Sequence, residues 1–218
     1  MYEDKNIIII NKPYNIAVHG GSKIKSNLIQ ILRNNKKYKN TNLELIHRID
    51  KKTSGCVLIS KNKEYLKKMQ ELMKLKKIKK EYHAIIENKC IKKEIKINQK
   101  TLNKYNKKIT SKNKKTISKI KLLKKFKNLS LIKIILITGK THQIRIHLAH
   151  SGNPIINDLK YGSVLLNSKI KKLKIKRLFL HARSIRFICP ETKKKIKIKA
   201  PYDMELIMFI KNIKKNEY

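Results

Sequence analysis

An α+β fold, built on a largely antiparallel mixed sheet with flanking helices, is what this sequence predicts, and three observations predict it. Short β-branched or alternating runs recur at 7–10, 56–60, 116–122 and 129–138. The last two read as adjacent strands joined by a turn at Lys127-Asn128. Amphipathic helical stretches fall between and after these runs, with no repeat and no clear linker, so a single domain over residues 1–218 is expected.

Taken in order, Ile7-Ile8-Ile9-Ile10 is a strand stopped by Asn11-Lys12-Pro13, and Gly20-Gly21-Ser22 turns the chain. Leu28, Ile29 and Leu32 are spaced for a short helix from about Lys25 to Arg33, with a loop over 34–42. After the strand at 56–60, Asn62 is placed to cap a helix with Glu64 in its first turn. Leu66, Met69, Leu72 and Met73 form the apolar face of that helix, opposite a solvated lysine face. Glu81 to Ile86 alternates and then becomes apolar, the pattern of a strand.

Residues 88–116 are rich in Lys and Asn and read as mostly exposed loop, with Ile95 and Ile97 marking one strand. Gly139-Lys140-Thr141 breaks the strand that ends at 138, and Thr141 can cap a helix running from His142 to His150. Gly152 ends that helix, with Pro154 beyond it. A lysine-rich loop at 169–177, strands near 179–188 and 195–199, and a helix with Leu206, Ile207, Phe209, Ile210 and Ile213 on its apolar side complete the chain.

The composition narrows the function classes. With 56 Lys and Arg against 14 Asp and Glu, the formal charge is +42. Only six of the basic residues are Arg (33, 48, 145, 177, 183 and 186), and Lys, Ile and Asn are in joint excess, as an A+T-rich genome would impose. Part of the basicity is therefore codon drift, yet the field it creates still makes a polyanion, nucleic acid in particular, the natural partner. No run of about 18 apolar residues exists to span a membrane. The start, Met1-Tyr2-Glu3-Asp4, is unlike a signal peptide. Cys56, Cys90 and Cys189 lack C-x-x-C spacing and fit a reduced, cytoplasmic chain.

Candidate sites follow from the rare residues. Asp50 lies between apolar segments, in His47-Arg48-Ile49-Asp50-Lys51-Lys52-Thr53-Ser54-Gly55. It is either an ordinary turn residue or a carboxylate aimed into a cleft. Tyr82 sits in a lysine-dominated strand and could stack on an exposed base. Arg145, in the first turn of the helix after Gly139, could hold a carboxylate in a bidentate grip that Lys cannot reproduce. A grip on Asp50 would keep it ionised, as a nucleophile or base must be.

Other patterns are discarded. The seven histidines include His147 and His150 on one helix face, but no Asp, Glu or Cys completes a three-ligand zinc site, so no metal is expected. A kinase-like reading of His-Arg-x-Asp fails for want of a glycine-rich loop and Asp-Phe-Gly.

The stretch His47 to Gly55 closely resembles the His-Arg-Leu-Asp-x-x-Thr-Ser-Gly signature of the RluA-type RNA pseudouridine synthases. Gly139-Lys140-Thr141-His142-Gln143-Ile144-Arg145-Ile146-His147, running on through Pro154-Ile155 to Asp158 and Tyr161-Gly162, is similar to the family's second long signature. Lys80-Glu81-Tyr82-His83-Ala84 fits the Lys-x-Tyr-x-Ala motif, and Leu180-His181-Ala182 a later one. Asn11-Lys12-Pro13 and Val18-His19-Gly20-Gly21-Ser22 resemble the branch that acts on the ribosomal large subunit.

The resemblance implies the pseudouridine synthase fold with a central catalytic cleft. It implies isomerisation of specific uridines to pseudouridine in ribosomal RNA, without a cofactor, by a monomeric cytoplasmic enzyme. Asp50 matches the essential aspartate, Tyr82 the tyrosine that packs on the target base, and Arg145 the aspartate's partner. Arg48, in the same signature as Asp50, is a further substrate-binding candidate. Transfer RNA as substrate, or a basic RNA-binding or ribosome-assembly protein without activity, are the alternatives.

Three departures bear on these expectations. Lys140 stands where the family usually has Arg, keeping the charge without the fork. Asn157 replaces a usual Gly, which predicts a strained or rearranged turn. No separate N-terminal RNA-binding domain is evident ahead of the catalytic sequence, which touches target choice more than chemistry.

Overall fold

A computed structural model describes residues 1–21, 26–87, 94–100, 115–169 and 177–215. In chain order the first elements are Tyr2–Glu3 (β1), Ile7–Lys12 (β2), Leu28–Arg33 (α1), Glu44–Leu45 (β3), Ser54–Ser60 (β4) and Lys63–Lys74 (α2). Next come Lys79–Glu87 (β5), Glu94–Lys100 (β6), Lys115–Lys125 (β7), Leu129–Leu136 (β8) and Gln143–His150 (α3). Val164–Lys169 (α4), Leu180–Ile188 (β9), Lys195–Lys199 (β10) and Met204–Lys215 (α5) follow. Strand pairing is mixed but mostly antiparallel, the α+β class read from the sequence. No described helix is long and apolar enough to cross a membrane.

The chain divides into two compact units: Met1–Tyr82 with Leu180–Ile207, and His83–Phe179 with Met208–Tyr218. Within the first unit, β2 runs antiparallel to β4, with Ile9 opposite Leu58 and Lys12 opposite Gly55. All seven residues of β4 are buried, which is why it reads as a continuous apolar run rather than an alternating one. β4 meets β9 in parallel over Ser54–His181 and Gly55–Ala182, and β10 flanks β9 antiparallel. Asn62 caps α2, its side chain accepting the Tyr65 N–H at 2.7 Å.

Within the second unit, β6, β7 and β8 are antiparallel neighbours, with an irregularity between Leu122 and Lys124. β8 alternates buried and half-buried positions, as a strand with one covered face should. Ile86 forms a bridge with Ile155, and Ile156 donates to the Ile85 carbonyl at 3.0 Å. The stretch that follows α3 is thereby laid along β5.

Several expectations shift. α1 starts at Leu28, because Asn27 caps it by accepting the Gln30 N–H. The 34–42 loop contains a short 3-10 turn at Lys36–Tyr38. The buried side chains of α2 are Tyr65 and Met69; the apolar reading missed Tyr65, whose hydroxyl lies 3.5 Å from the Cys189 sulfur. β1, β3 and α4 were not expected; the first two are two-residue strands, too short to leave a period. The sequence between β6 and β7, Cys90 and most of the lysine-rich 169–177 loop lie outside the described residues.

Candidate active site

Asp50 opens the turn that leads into β4; Thr53 donates its N–H to the Asp50 carbonyl at 3.0 Å. Three tethers within the first unit fix this turn. Lys12 is fully buried and donates from Nζ to the carbonyls of Pro13 (2.8 Å), Ile16 (2.7 Å) and Lys51 (3.2 Å). An ammonium has three donors, and here three carbonyls take them. Asn11-Lys12-Pro13 is thus clamped to the residue next to Asp50.

The second tether is Ser54, whose Oγ lies 2.8 Å from His181 Nδ1 in the buried interior. His181 Nε2 is 3.2 Å from the Ala200 carbonyl, which can only accept. Nε2 therefore carries the proton, and Nδ1 accepts from the Ser54 hydroxyl. Gly55 is the third. It holds φ +109, and a Cβ there would run into the Ala182 carbonyl oxygen and stand 2.7 Å from its amide nitrogen. Only glycine combines that φ with that approach. The Thr-Ser-Gly and Leu-His-Ala stretches, 127 residues apart at Ser54 and His181, are one structural device.

Tyr82 lies in the first unit as well, as the last residue of its part of β5, and is buried. Burial pushes its phenol well above the ordinary value, and the negative charge of Asp50 pushes it further in the same direction. The hydroxyl stays protonated, leaving the ring as an apolar face. Arg48 is exposed, and its Nη1 donates to His19 Nε2 at 2.8 Å, while His19 Nδ1 donates to the Gly20 carbonyl at 2.6 Å. The Val18-His19-Gly20 stretch and the Asp50 signature therefore also touch. His47 accepts the Leu58 N–H at 3.2 Å, and burial together with the Lys80 charge lowers its imidazole to about 3.

Arg145 belongs to the second unit, on α3, where it is buried. Its Nε and Nη2 donate to Asp158 Oδ2 and Oδ1, both at 2.7 Å, so the bidentate grip is on Asp158, whereas the sequence reading named Asp50 as the carboxylate to be held. Asp158 also accepts the N–H groups of Lys160 and Tyr161 on Oδ1, each at 3.1 Å. Burial alone would raise its carboxyl, but the guanidinium and these amides outweigh it and hold it below the usual value. The Arg145 guanidinium carbon sits 5.0 Å from the centre of the Tyr161 ring, and the Tyr161 hydroxyl is 2.9 Å from His142 Nδ1. Sequence reasoning marks Asp158 and Tyr161 only as parts of a signature; the scarcity of acids in so basic a chain is the signal that could have singled out Asp158.

The expected Thr141 cap is not formed. His142 is the N-cap residue of α3, in left-handed backbone at φ 55 and without a side-chain cap bond. Gln143 instead ties down the loop ahead of the helix: its Oε1 accepts from the Thr138 hydroxyl at 2.8 Å and the Lys140 N–H at 3.1 Å. The C-terminal expectation holds, with Gly152 left-handed at φ +73. Asn157 also sits left-handed, at φ 56, and donates its N–H to Asn167 Oδ1 at 2.8 Å. Asn tolerates that region better than other non-glycine residues. Lys140 is exposed. His147 is buried with Nε2 2.7 Å from Thr116 Oγ1, a bonded core histidine.

The order and spacing of these stretches match known proteins. The family model for RNA pseudouridylate synthases matches residues 6–150. The chain belongs to the RNA pseudouridylate synthase family. It is 41% identical over 220 residues to the ribosomal large subunit pseudouridine synthase C of Buchnera aphidicola subsp. Baizongia pistaciae, covering 98% of this chain and 70% of that protein. The Yersinia pestis protein of the same name is 33% identical, covering 99% of this chain and 69% of its own. Among solved structures, human RNA Pseudouridylate Synthase Domain Containing 4 superposes with a TM-score of 0.80 at 24% identity, over 98% of this chain and 92% of that one. As a pseudouridine synthase the chain is an isomerase that acts on RNA.

Proposed function

We propose that this enzyme converts specific uridines of large-subunit ribosomal RNA to pseudouridine, with Asp50 as the essential catalytic carboxylate. The observation that carries the target is the identity of up to 41% across nearly the whole chain with enzymes named for the ribosomal large subunit. The +42 charge supplies affinity for any RNA and no choice among RNAs.

In the reaction the N-glycosidic bond breaks, the uracil turns over, and carbon 5 bonds to the ribose in place of nitrogen 1; a proton leaves carbon 5 and one is gained at nitrogen 1. Asp50 must be ionised whether it attacks or removes a proton. Arg145 is read as the cation that favours this state, its five N–H donors allowing a second acceptor beside the Asp158 fork. Tyr82, protonated and buried beside Asp50, offers a ring face for the uracil. Arg48 is read as a contact to the RNA around the target, suited to it by exposure and charge. The base must leave its stack to be reached, which costs a few kcal/mol and favours irregular RNA. The enzyme is read as a monomer that acts in the cytoplasm.

The test is to map pseudouridines in a strain lacking the gene. Loss confined to large-subunit ribosomal RNA, restored by the wild-type gene, is the expected result. Loss confined to transfer RNA would overturn the target, and no loss anywhere would overturn the activity.

A further inference from the structure

Within the second unit, one buried side chain grips another with both its oxygens. Asp158 is 1% exposed, and both its oxygens face the Nε–Nη2 edge of Arg145 at 2.7 Å. Its own position is over-determined. Gly162 donates its N–H to the Asp158 carbonyl at 2.7 Å, and a Cβ on Gly162 would collide with that carbonyl oxygen. The closed turn aims the N–H groups of Lys160 and Tyr161 at Oδ1. It also brings the Tyr161 ring over the guanidinium at 5.0 Å, and His142, three residues before Arg145, holds the Tyr161 hydroxyl at 2.9 Å.

A free arginine explores many rotamers. Here a carboxylate fixes the guanidinium within its plane and a ring fixes its face. The fork takes two of the five N–H donors, so it orients the group without exhausting it. A lone salt bridge serving stability would need neither the ring nor the two amides that lock the acid.

We infer that Asp158 and Tyr161 are positioning residues for Arg145, setting the guanidinium in the orientation that catalysis requires. The inference rests on the reading of Arg145 as the partner of the catalytic carboxylate. Displacement of a catalytic group by about 1 Å can cost about 100-fold in rate. Asp158→Glu keeps the charge but lengthens the arm by one methylene, so the fork remains possible only with the guanidinium moved.

The experiment measures kcat and KM on an RNA transcript for Asp158→Glu, Asp158→Asn and Tyr161→Phe, each made alone and in an Arg145→Lys background, with thermal unfolding alongside. The expected result is a kcat lowered about 10- to 100-fold for Asp158→Glu at near-native Tm and little-changed KM. Tyr161→Phe, which keeps the ring, should lose less than about 10-fold. In the Arg145→Lys background the same changes should add less than about twofold, because the fork they disturb is already gone.

Equal losses in both backgrounds, or a wild-type kcat for Asp158→Glu, would overturn the inference. An Asp158→Asn protein that fails to fold leaves the glutamate variant to decide. Full activity in Arg145→Met would instead overturn the underlying reading of Arg145, and the inference with it.

Discussion

Gly55 and Ala182 pack backbone against backbone: a Cβ on Gly55 would lie 2.7 Å from the Ala182 amide nitrogen and 2.8 Å from its carbonyl carbon. The contact joins β4, whose first residues follow the Asp50 turn, to β9 in parallel register. Gly55→Ala should therefore destabilise the protein by about 2–4 kcal/mol, combining overpacking with a left-handed alanine. It should also reduce pseudouridine formation at temperatures where the variant stays folded, since the turn five residues away is displaced. Denaturant unfolding and an activity assay check both; unchanged stability would refute the packing argument.

Lys12 gives a second way to disturb the same turn. Lys12→Met preserves the length of the stem and removes the donors to Pro13, Ile16 and Lys51. Three carbonyls lose their shared partner, at a cost on the order of 3–5 kcal/mol. Methionine placed without loss of stability would show that these bonds contribute little.

The pH dependence has a definite sign. Unfolded, His47 takes a proton near pH 6.5; folded, it resists until about 3, through burial and the Lys80 charge. Between these values the unfolded chain binds more protons, so stability is complete above about pH 6.5 and falls as pH drops toward 3. His147, lowered to about 4 by burial, adds to the same trend. His47→Gln retains an acceptor for the Leu58 N–H and cannot titrate. Its urea midpoint should fall less between about pH 7 and 4 than that of the wild type. Parallel curves would remove His47 from the account.

Asn157, at φ 56, tests the one departure from the family pattern that the backbone explains. Asn157→Ala should cost about 1 kcal/mol, and Asn157→Gly should stay within about 0.5 kcal/mol of the wild type. Equilibrium unfolding of the two variants is the check.

Much of this was legible in the residues, for physical reasons that differ by element. β4 and β8 declared themselves because strand burial leaves an apolar run or a period of two. Asn62 was found as a cap because its side chain meets a local N–H, three residues on. Arg145 stood out as one of only six arginines, and a bidentate grip was expected of it, though on Asp50 and not on the Asp158 it forks.

The rest depended on distance along the chain. Ser54 and His181 meet across 127 residues, and nothing local to either announces the other. Asp158 lies 13 residues from Arg145, across a turn whose closure needs Gly162. His142 took the cap position expected of Thr141, and Gln143 ties the preceding loop through Thr138 and Lys140. A network of that kind cannot be read from spacing.

The central claim, that Asp50 carries the chemistry, has one most direct measurement. Release of the carbon-5 hydrogen from RNA labelled with tritium at uracil carbon 5 reports each isomerisation, and filter binding reports RNA affinity on the same samples. For Asp50→Asn the account predicts release lowered by at least about a thousandfold, with affinity within about threefold of the wild type. Release within about tenfold of the wild type, from a variant that binds RNA normally, would contradict it.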